Sequence, residues 1–212
     1  MTVWAVIPAG GSGVRFGARK QYLALGERTL LERAIDAVQP VVDGIVVALP
    51  AADAVALPSG VIRVDGGASR LDSVRSALAA VPADASVIVV HGPSHPLAGP
   101  ALTVLVVAAV REGADAAFPG IPVVDALKRV GPDGLVEVTV PKERVMLAQT
   151  PQAFRAEALR AAHAGSPEGA EDSELIERAG GRVVAVAGEP TNLHIATPAD
   201  LAIAERLLAV VG

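Results

Sequence analysis

Cysteine is absent from this 212-residue chain, aromatic side chains are few, and acidic residues outnumber basic ones. Without cysteine there can be no disulfide, no thiol nucleophile and no cysteine-bound zinc or iron–sulfur cluster, so any catalysis depends on oxygen and nitrogen groups. With one Trp, one Tyr and three Phe, the core must be built from Val, Leu, Ile and Ala. The net charge of −5 predicts that neither nucleic acid nor an anionic membrane is a partner, because both attract basic surfaces.

Long apolar runs are missing as well. The longest one covers residues 102–110, whereas a membrane-spanning helix needs ~20 apolar residues. The first residues enter a strand pattern directly, without the layout of a signal peptide. The length suits one α/β domain, a type that often runs to roughly 200–250 residues. We therefore expect a single cytoplasmic domain over residues 1–212.

Short β-branched runs alternate along the chain with Ala- and Leu-rich stretches at helical spacing. The predicted strands are 3–7, 44–49, 61–64, 87–90 and 182–187. The predicted helices are 30–38, 69–80, 101–112, 154–164, 173–179 and 198–210. Near-continuous apolar strands between helices are typical of a mostly parallel sheet with helices on both faces, so we predict a Rossmann-like α/β fold. Ligands of such sheets bind at the carboxyl ends of the strands.

Residues 122–139 depart from that rhythm. Two alternating runs flank the sequence Gly-Pro-Asp-Gly at 131–134, which predicts a β-hairpin. A projecting two-stranded ribbon is marginally stable unless it packs against another surface. We expect this β-arm, at about 122–148, to form the contact of a homodimer.

A glycine-rich loop at residues 8–17 follows the first predicted strand. Glycines there let backbone N–H groups approach a phosphate closely, because no Cβ intervenes. The spacing fits neither the dinucleotide-binding fingerprint nor the P-loop, whose lysine precedes Ser or Thr, whereas Lys20 precedes Gln21. What remains is a phosphate cradle with two cations, Arg15 and Lys20, that can neutralise a triphosphate. The alternative is a turn with two surface cations.

Residues 8–15 together with 20–23 resemble the nucleotide-binding loop of the 2-C-methyl-D-erythritol 4-phosphate cytidylyltransferase family. Residues 64–74 resemble the family's second nucleotide segment, and residues 149–154 resemble the segment after its dimerising arm. A glycine-rich loop alone would indicate only a nucleotidyltransferase. Three segments in the family's order, with the arm between the second and third, make the resemblance far more specific.

The resemblance implies that a polyol phosphate attacks the α-phosphorus of CTP, with Mg²⁺ bound and pyrophosphate leaving. Arg15 and Lys20 match the catalytic pair that stabilises the transition state. The residues implied in nucleotide binding are Pro8, Ala9, Gly10, Gly11, Gly13, Gly67, Arg70 and Ser73. For Ser73 alone, a role as the cap of a helix is an equally good interpretation.

The acceptor side departs from the family pattern. Residues 90–96 lack the family's Asp and Arg, and Gly92 stands at the Asp position, so the metal ligands are unknown. The residues implied in positioning the acceptor are Lys142, His194, Thr150, Thr191 and His95. Lys142 keeps the charge of a family Arg but not its bidentate fork. His95 and His194 are expected to act as pH-dependent cations.

These departures leave four interpretations open. The chain acts on 2-C-methyl-D-erythritol 4-phosphate with a remodelled pocket, or it is a cytidylyltransferase for another polyol phosphate, such as ribitol 5-phosphate. Alternatively it is a weakly active nucleotide-binding paralogue, or it keeps only the fold and serves dimerisation or regulation.

The histidines after the fourth predicted strand carry two further expectations. His91 is predicted to cap a buried backbone group. A zinc site at His91 and His95 is rejected, because Pro93 and Pro96 oppose the helix that would bring the two rings together.

Overall fold

The computed structural model describes residues 1–11, 19–165 and 167–211. Its helices are α1 (Leu30–Val38), α2 (Arg70–Leu78), α3 (Pro100–Arg111), α4 (Ala156–Ala162), α5 (Asp172–Arg178) and α6 (Pro198–Val211). Its strands are β1 (Val3–Pro8), β2 (Ala24–Leu25), β3 (Arg28–Thr29), β4 (Gly44–Leu49), β5 (Val61–Asp65), β6 (Val87–Val90), β7 (Ala116–Pro122), β8 (Leu127–Val130), β9 (Val136–Val140), β10 (Met146–Ala148), β11 (Gln152–Arg155) and β12 (Val183–Ala187). None of the helices described is long and apolar enough to cross a membrane.

Eight strands share one sheet, whose central order is β5, β4, β1 and β6, with every neighbouring pair parallel. Beyond β6 lie β11, antiparallel to β6, and then β7, antiparallel to β11. Strand β12 pairs with β7 in parallel, and β10 pairs antiparallel with the end of β7. The predicted Rossmann-like, mostly parallel sheet is confirmed.

The order of the strands creates a crevice at one edge of the sheet. The chain moves from β1 outward to β4 and β5, then returns to the other side of β1 to form β6. Loops that leave β1 and β6 diverge at the carboxyl ends of these strands, which is where open α/β sheets bind ligands. Residues after Pro8 and after Val90 therefore border the expected site.

Aliphatic side chains cover both faces of the sheet. On β1, Ala5 and Ile7 pack with side chains of α1 and α3, whereas Val6 packs with side chains of α2, α4 and α5. Because successive side chains of a strand point to opposite faces, this division places helices on both faces of the sheet. The prediction of helices on both faces is confirmed.

Helices α1 and α2 begin with capping boxes. Thr29 and Glu32 cap α1, and Ser69 and Asp72 cap α2, each pair exchanging side-chain to backbone hydrogen bonds. The cap of α2 is thus Ser69, so the interpretation of Ser73 as a helix cap is wrong. Ser73 lies one turn inside the helix.

Strands β7 and β11 escape the sequence pattern. Strand β7 contains Pro119, Gly120 and Pro122, which are poor strand formers, and it exists because neighbouring strands pair along it. The predicted helix at 154–164 begins only at Ala156, since Gln152–Arg155 pairs with β6 and β7 as β11. Tertiary pairing overrides local propensity in both cases.

Strands β8 and β9 form the predicted β-hairpin, separate from the main sheet. Leu127 pairs with Val140 at its open end, and the register shifts between Arg129 and Val130. Apolar side chains along this arm face solvent: Val124 is 78% exposed and Leu135 is 69% exposed. Exposed apolar patches of this kind are typical of surfaces that contact another protein.

Candidate active site

The two glycine segments meet at the carboxyl edge of the sheet. A Cβ on Gly10 would lie 2.7 Å from the Ser73 hydroxyl oxygen and 3.3 Å from Gly66 Cα. A Cβ on Gly66 would lie 3.0 Å from Gly10 Cα and 3.3 Å from the Leu49 carbonyl oxygen. Such contacts are too short for any larger residue without a shift, so these glycines allow the backbones after β1 and β5 to touch.

Ser73 ties the second segment to helix α2. Its hydroxyl accepts a hydrogen bond from the Gly67 N–H at 3.2 Å and donates one to the Ser69 carbonyl at 3.0 Å. Gly67 itself packs against Asp72, because a Cβ on Gly67 would overlap Asp72 Cβ. The turn between β5 and α2 is therefore held closely against the start of the helix.

Gln21 holds the start of the glycine-rich loop, a role that sequence reasoning missed. Its buried amide donates to the carbonyls of Ala9, at 3.0 Å, and Gly11, at 3.3 Å. After the loop in sequence, Arg19 forms an ion pair with Asp53, and the Tyr22 hydroxyl donates to the same carboxylate at 2.7 Å. The predicted site residues Arg15 and Gly13 lie outside the described part of the chain.

Lys20 connects the nucleotide loop with the acceptor side. It begins the short helical turn Lys20–Tyr22, and its ammonium donates to the Ile195 carbonyl at 2.6 Å. Its positive charge also acts on His95. The structure thus brings the predicted catalytic lysine together with two of the segments predicted to bind the acceptor.

His95 and His194 stack, with ring centroids 5.0 Å apart and ring planes 21° apart. His95 Nδ1 lies 3.1 Å from the Asn192 carbonyl, which can only accept, so this nitrogen carries the hydrogen. Burial, and then the positive charges of His194 and Lys20, lower the pKa of His95 to about 4. His95 is therefore neutral near pH 7, and the expectation that it acts as a cation is wrong.

His91 bonds to the hydroxyl of Thr150, not to the backbone group that was predicted. The ring is completely buried, with Nδ1 2.8 Å from Thr150 Oγ1. Burial and the nearby His95 lower the pKa of His91 to about 3, so the ring is neutral. Asn192 donates to the Thr150 carbonyl at 3.0 Å, which ties this threonine to the segment that carries His194.

Thr191, Lys142 and Arg70 have other neighbours. Thr191 is half-buried and lines a cavity of about 320 Å³ with Leu97 and Arg33. Lys142 lies on the arm, where its ammonium donates to the Val124 carbonyl. Arg70 starts α2 and pairs with the buried Asp172.

A metal cage is not found in the part of the chain that the structure describes. No group of three or more His, Asp or Glu side chains there is placed to hold an ion. Gly92, at the position where the family has an Asp, offers no side chain. The described residues therefore do not fit a magnesium ion held by the protein alone.

The crevice of this α/β sheet brings together two touching glycine segments and a lysine. Such a site suits the phosphates of a nucleotide, because phosphates need close approach of the backbone and positive charge. Fold and site together define the chain as a nucleotidyltransferase. The family model described as IspD: 2-C-methyl-D-erythritol 4-phosphate cytidylyltransferase matches residues 3–210. The chain belongs to this family.

Individual relatives agree over almost the whole chain. The 2-C-methyl-D-erythritol 4-phosphate cytidylyltransferase of Nocardia farcinica is 43% identical over 98% of this chain and 94% of its own. That of Saccharopolyspora erythraea is also 43% identical, over 99% and 100%. The crystal structure of the Thermus thermophilus enzyme is 34% identical, with a TM-score of 0.86 over 99% of this chain and 100% of that one. The resemblance inferred from three short segments is confirmed.

Proposed function

We propose that the chain transfers CMP from CTP to 2-C-methyl-D-erythritol 4-phosphate and releases pyrophosphate. An oxygen of the acceptor's phosphate attacks the α-phosphorus of CTP. The bond from that phosphorus to the bridging oxygen of the β-phosphate breaks, and its electron pair leaves with pyrophosphate. The acceptor oxygen is already an anion near pH 7, so the barrier lies in charge repulsion and positioning, not in proton removal.

The observation that carries this proposal is the meeting of the two glycine segments next to the turn that holds Lys20. The Gly10 and Gly66 backbones touch, and Gln21 fastens the lysine's turn to the start of the glycine-rich loop. This arrangement suits a nucleotide bound through backbone groups, with Lys20 placed to stabilise the charge that develops at the α-phosphorus. By the family pattern, Arg15 joins Lys20 in this role.

Thr150 is the side chain best prepared to meet the acceptor. Within the described residues His91 Nε2 is buried without a hydrogen-bond partner, and a buried N–H with no acceptor is unfavourable. The ring hydrogen therefore belongs on Nδ1, which donates it to Thr150 Oγ1. Thr150 keeps its own O–H to donate to the acceptor. Half-buried Thr191 and exposed His194 border the same segment.

Pyrophosphate release tests the proposal. Purified enzyme with CTP and Mg²⁺ should release pyrophosphate with 2-C-methyl-D-erythritol 4-phosphate, and far less with ribitol 5-phosphate or without acceptor. Ribitol 5-phosphate is included because residues 90–96 depart from the family at the acceptor. Preference for ribitol 5-phosphate would make the chain a cytidylyltransferase for a different polyol, and silence with both acceptors would contradict the proposal. We place the reaction in the cytoplasm, where CTP is supplied.

We propose that Mg²⁺ enters the site bound to CTP. Its ligands are then phosphate oxygens and water molecules, which Mg²⁺ accepts readily. Replacing Gly92 with Asp should then lower the Mg²⁺ concentration needed for half-maximal activity, by roughly 10-fold. Nothing lies within 4 Å of a Cβ at this position, so the substitution meets no neighbour at its first side-chain atom. Titration of activity with Mg²⁺ measures the effect, and Gly92→Asn is the uncharged control of the same shape. Equal Mg²⁺ dependence in the Asp variant and the unaltered enzyme would contradict the expectation.

We also propose a homodimer formed through the β-arm, with Lys142 serving the acceptor site of the partner. The exposed apolar residues of the arm support this, and Val124 is the most exposed of them. Val124→Asp should convert the dimer to a monomer with reduced activity, because a buried unpaired charge is unfavourable at an interface. Light scattering and the pyrophosphate assay measure both effects. Ile203→Asp, at a 51% exposed position on α6, is the matched control. A fully active monomer would refute the arrangement.

A further inference from the structure

A buried carboxylate joins three helices behind the nucleotide segment. Asp172, the first residue of α5, is completely buried. One of its oxygens lies 2.8 Å from His163 Nε2, at the end of α4, and the other lies 2.6 Å from an Arg70 guanidinium nitrogen, at the start of α2. A carboxylate is an acceptor, so the His163 nitrogen donates to it.

The two partners keep this carboxylate ionised. Burial raises the pKa of Asp172, but the hydrogen bond from His163 and the charge of Arg70 together outweigh burial, so the pKa lies below its usual value. An unpaired carboxylate in such a place would be strongly unfavourable. The arrangement therefore depends on Arg70 and His163 both staying in position.

Arg70 is well placed to transmit that constraint to the nucleotide segment. It directly follows the cap residue Ser69, and one turn further on Ser73 accepts the hydrogen bond from Gly67. The side chain of Arg70 is 35% exposed, whereas that of Asp172 is completely buried. Anchoring the first residue of α2 thus fixes the orientation of the turn that carries Gly66 and Gly67.

We propose that Asp172 is a positioning residue for the nucleotide site, acting through Arg70 on the start of α2. Arg70 then serves CTP binding by holding the Gly67 turn in place. Neither residue is required to touch the reacting atoms. The inference rests on the proposed function, because it concerns the binding of CTP by this segment.

Asp172→Asn tests the inference, since asparagine keeps the volume and loses the charge. We expect the KM and Kd for CTP to rise roughly 10-fold, with kcat and the KM for the acceptor changed by less than about threefold. Arg70→Met, at a partly exposed position, is the second variant in case Asp172→Asn folds poorly, and it should show the same pattern of kinetic changes. Arg70→Lys, which keeps the charge but not the fork, should recover part of the affinity. The double variant Asp172→Asn with Arg70→Met should bind CTP no more weakly than the single variant with the lower CTP affinity, because the two residues act as one unit.

Glu174→Gln provides the control, because it removes an exposed ion pair with Arg178 on the same helix. It should leave the KM for CTP unchanged. The inference would be overturned if the Asp172→Asn and Arg70→Met variants fold and bind CTP as tightly as the unaltered enzyme. It would also be overturned if kcat fell and the KM values of both substrates rose by equal factors. Calorimetry with the unaltered enzyme separates the two claims: failure to bind CTP at all contradicts the proposed function itself.

Discussion

Replacement of Lys20 by alanine is expected to lower kcat about 10²- to 10³-fold while changing the Kd for CTP only a few-fold. The ammonium lies between the nucleotide loop and the acceptor-side segment, bonded to the Ile195 carbonyl. A charge in that place gains most from the transition state, in which negative charge accumulates as two phosphates approach each other. Steady-state kinetics together with calorimetric titration of CTP measure the two effects separately.

Arg178→Ala is the control for this variant, because it removes a cation from an exposed ion pair on α5. It should leave kcat unchanged. Lys20→Ala also loses the bond to Ile195, so its melting temperature has to be measured to show that the protein remains folded. If kcat and CTP affinity fell by equal factors, Lys20 would bind the ground state and transition state alike, and its assignment to the transition state would be wrong.

Replacement of Gly10 by alanine is expected to raise the KM for CTP by at least about 10-fold. The new methyl group would lie 2.7 Å from the Ser73 hydroxyl oxygen and 3.3 Å from Gly66 Cα. Either the Ser73 hydroxyl turns away and loses its hydrogen bond from the Gly67 N–H, or the two segments move apart, and both changes disturb the surface offered to the nucleotide. Initial rates over a range of CTP concentrations measure the change.

A second substitution shows whether the Ser73 contact is the cause. Adding Ser73→Ala to Gly10→Ala removes the 2.7 Å contact and leaves Gly66 Cα as the nearest atom. Because Ser73→Ala alone loses the hydrogen bond from the Gly67 N–H, the double variant should lose less CTP affinity than the product of the two single losses. Gly99→Ala, at a position with nothing within 4 Å, is the glycine control and should retain normal kinetics. A double variant whose loss of CTP affinity equals the product of the two single losses would show that the steric explanation fails.

The site illustrates what sequence reasoning can and cannot reach. Gly10 and Lys20 were singled out because glycines directly after a strand and a nearby lysine form a local pattern, whereas Gly67 came from the resemblance to the family. Gln21 and Asp53 were missed, although Gln21 lies inside the recognised segment, because an amide bonding to Ala9 and Gly11 has no local signature. The interpretation of His91 failed for a similar reason, since its partner Thr150 comes from a distant part of the chain.

The sequence by itself determined the alternation of buried strands with helices, the extent of α1 at Leu30–Val38 and the hairpin turn at 131–134. These features depend on interactions among residues a few positions apart, so the pattern carries them. Only the tertiary structure decided that the proline-containing β7 is a strand and that Asp172 joins Arg70 to His163. Such features arise where elements distant in sequence meet, because pairing along a strand and the burial of a charge are set by the neighbours that folding brings together.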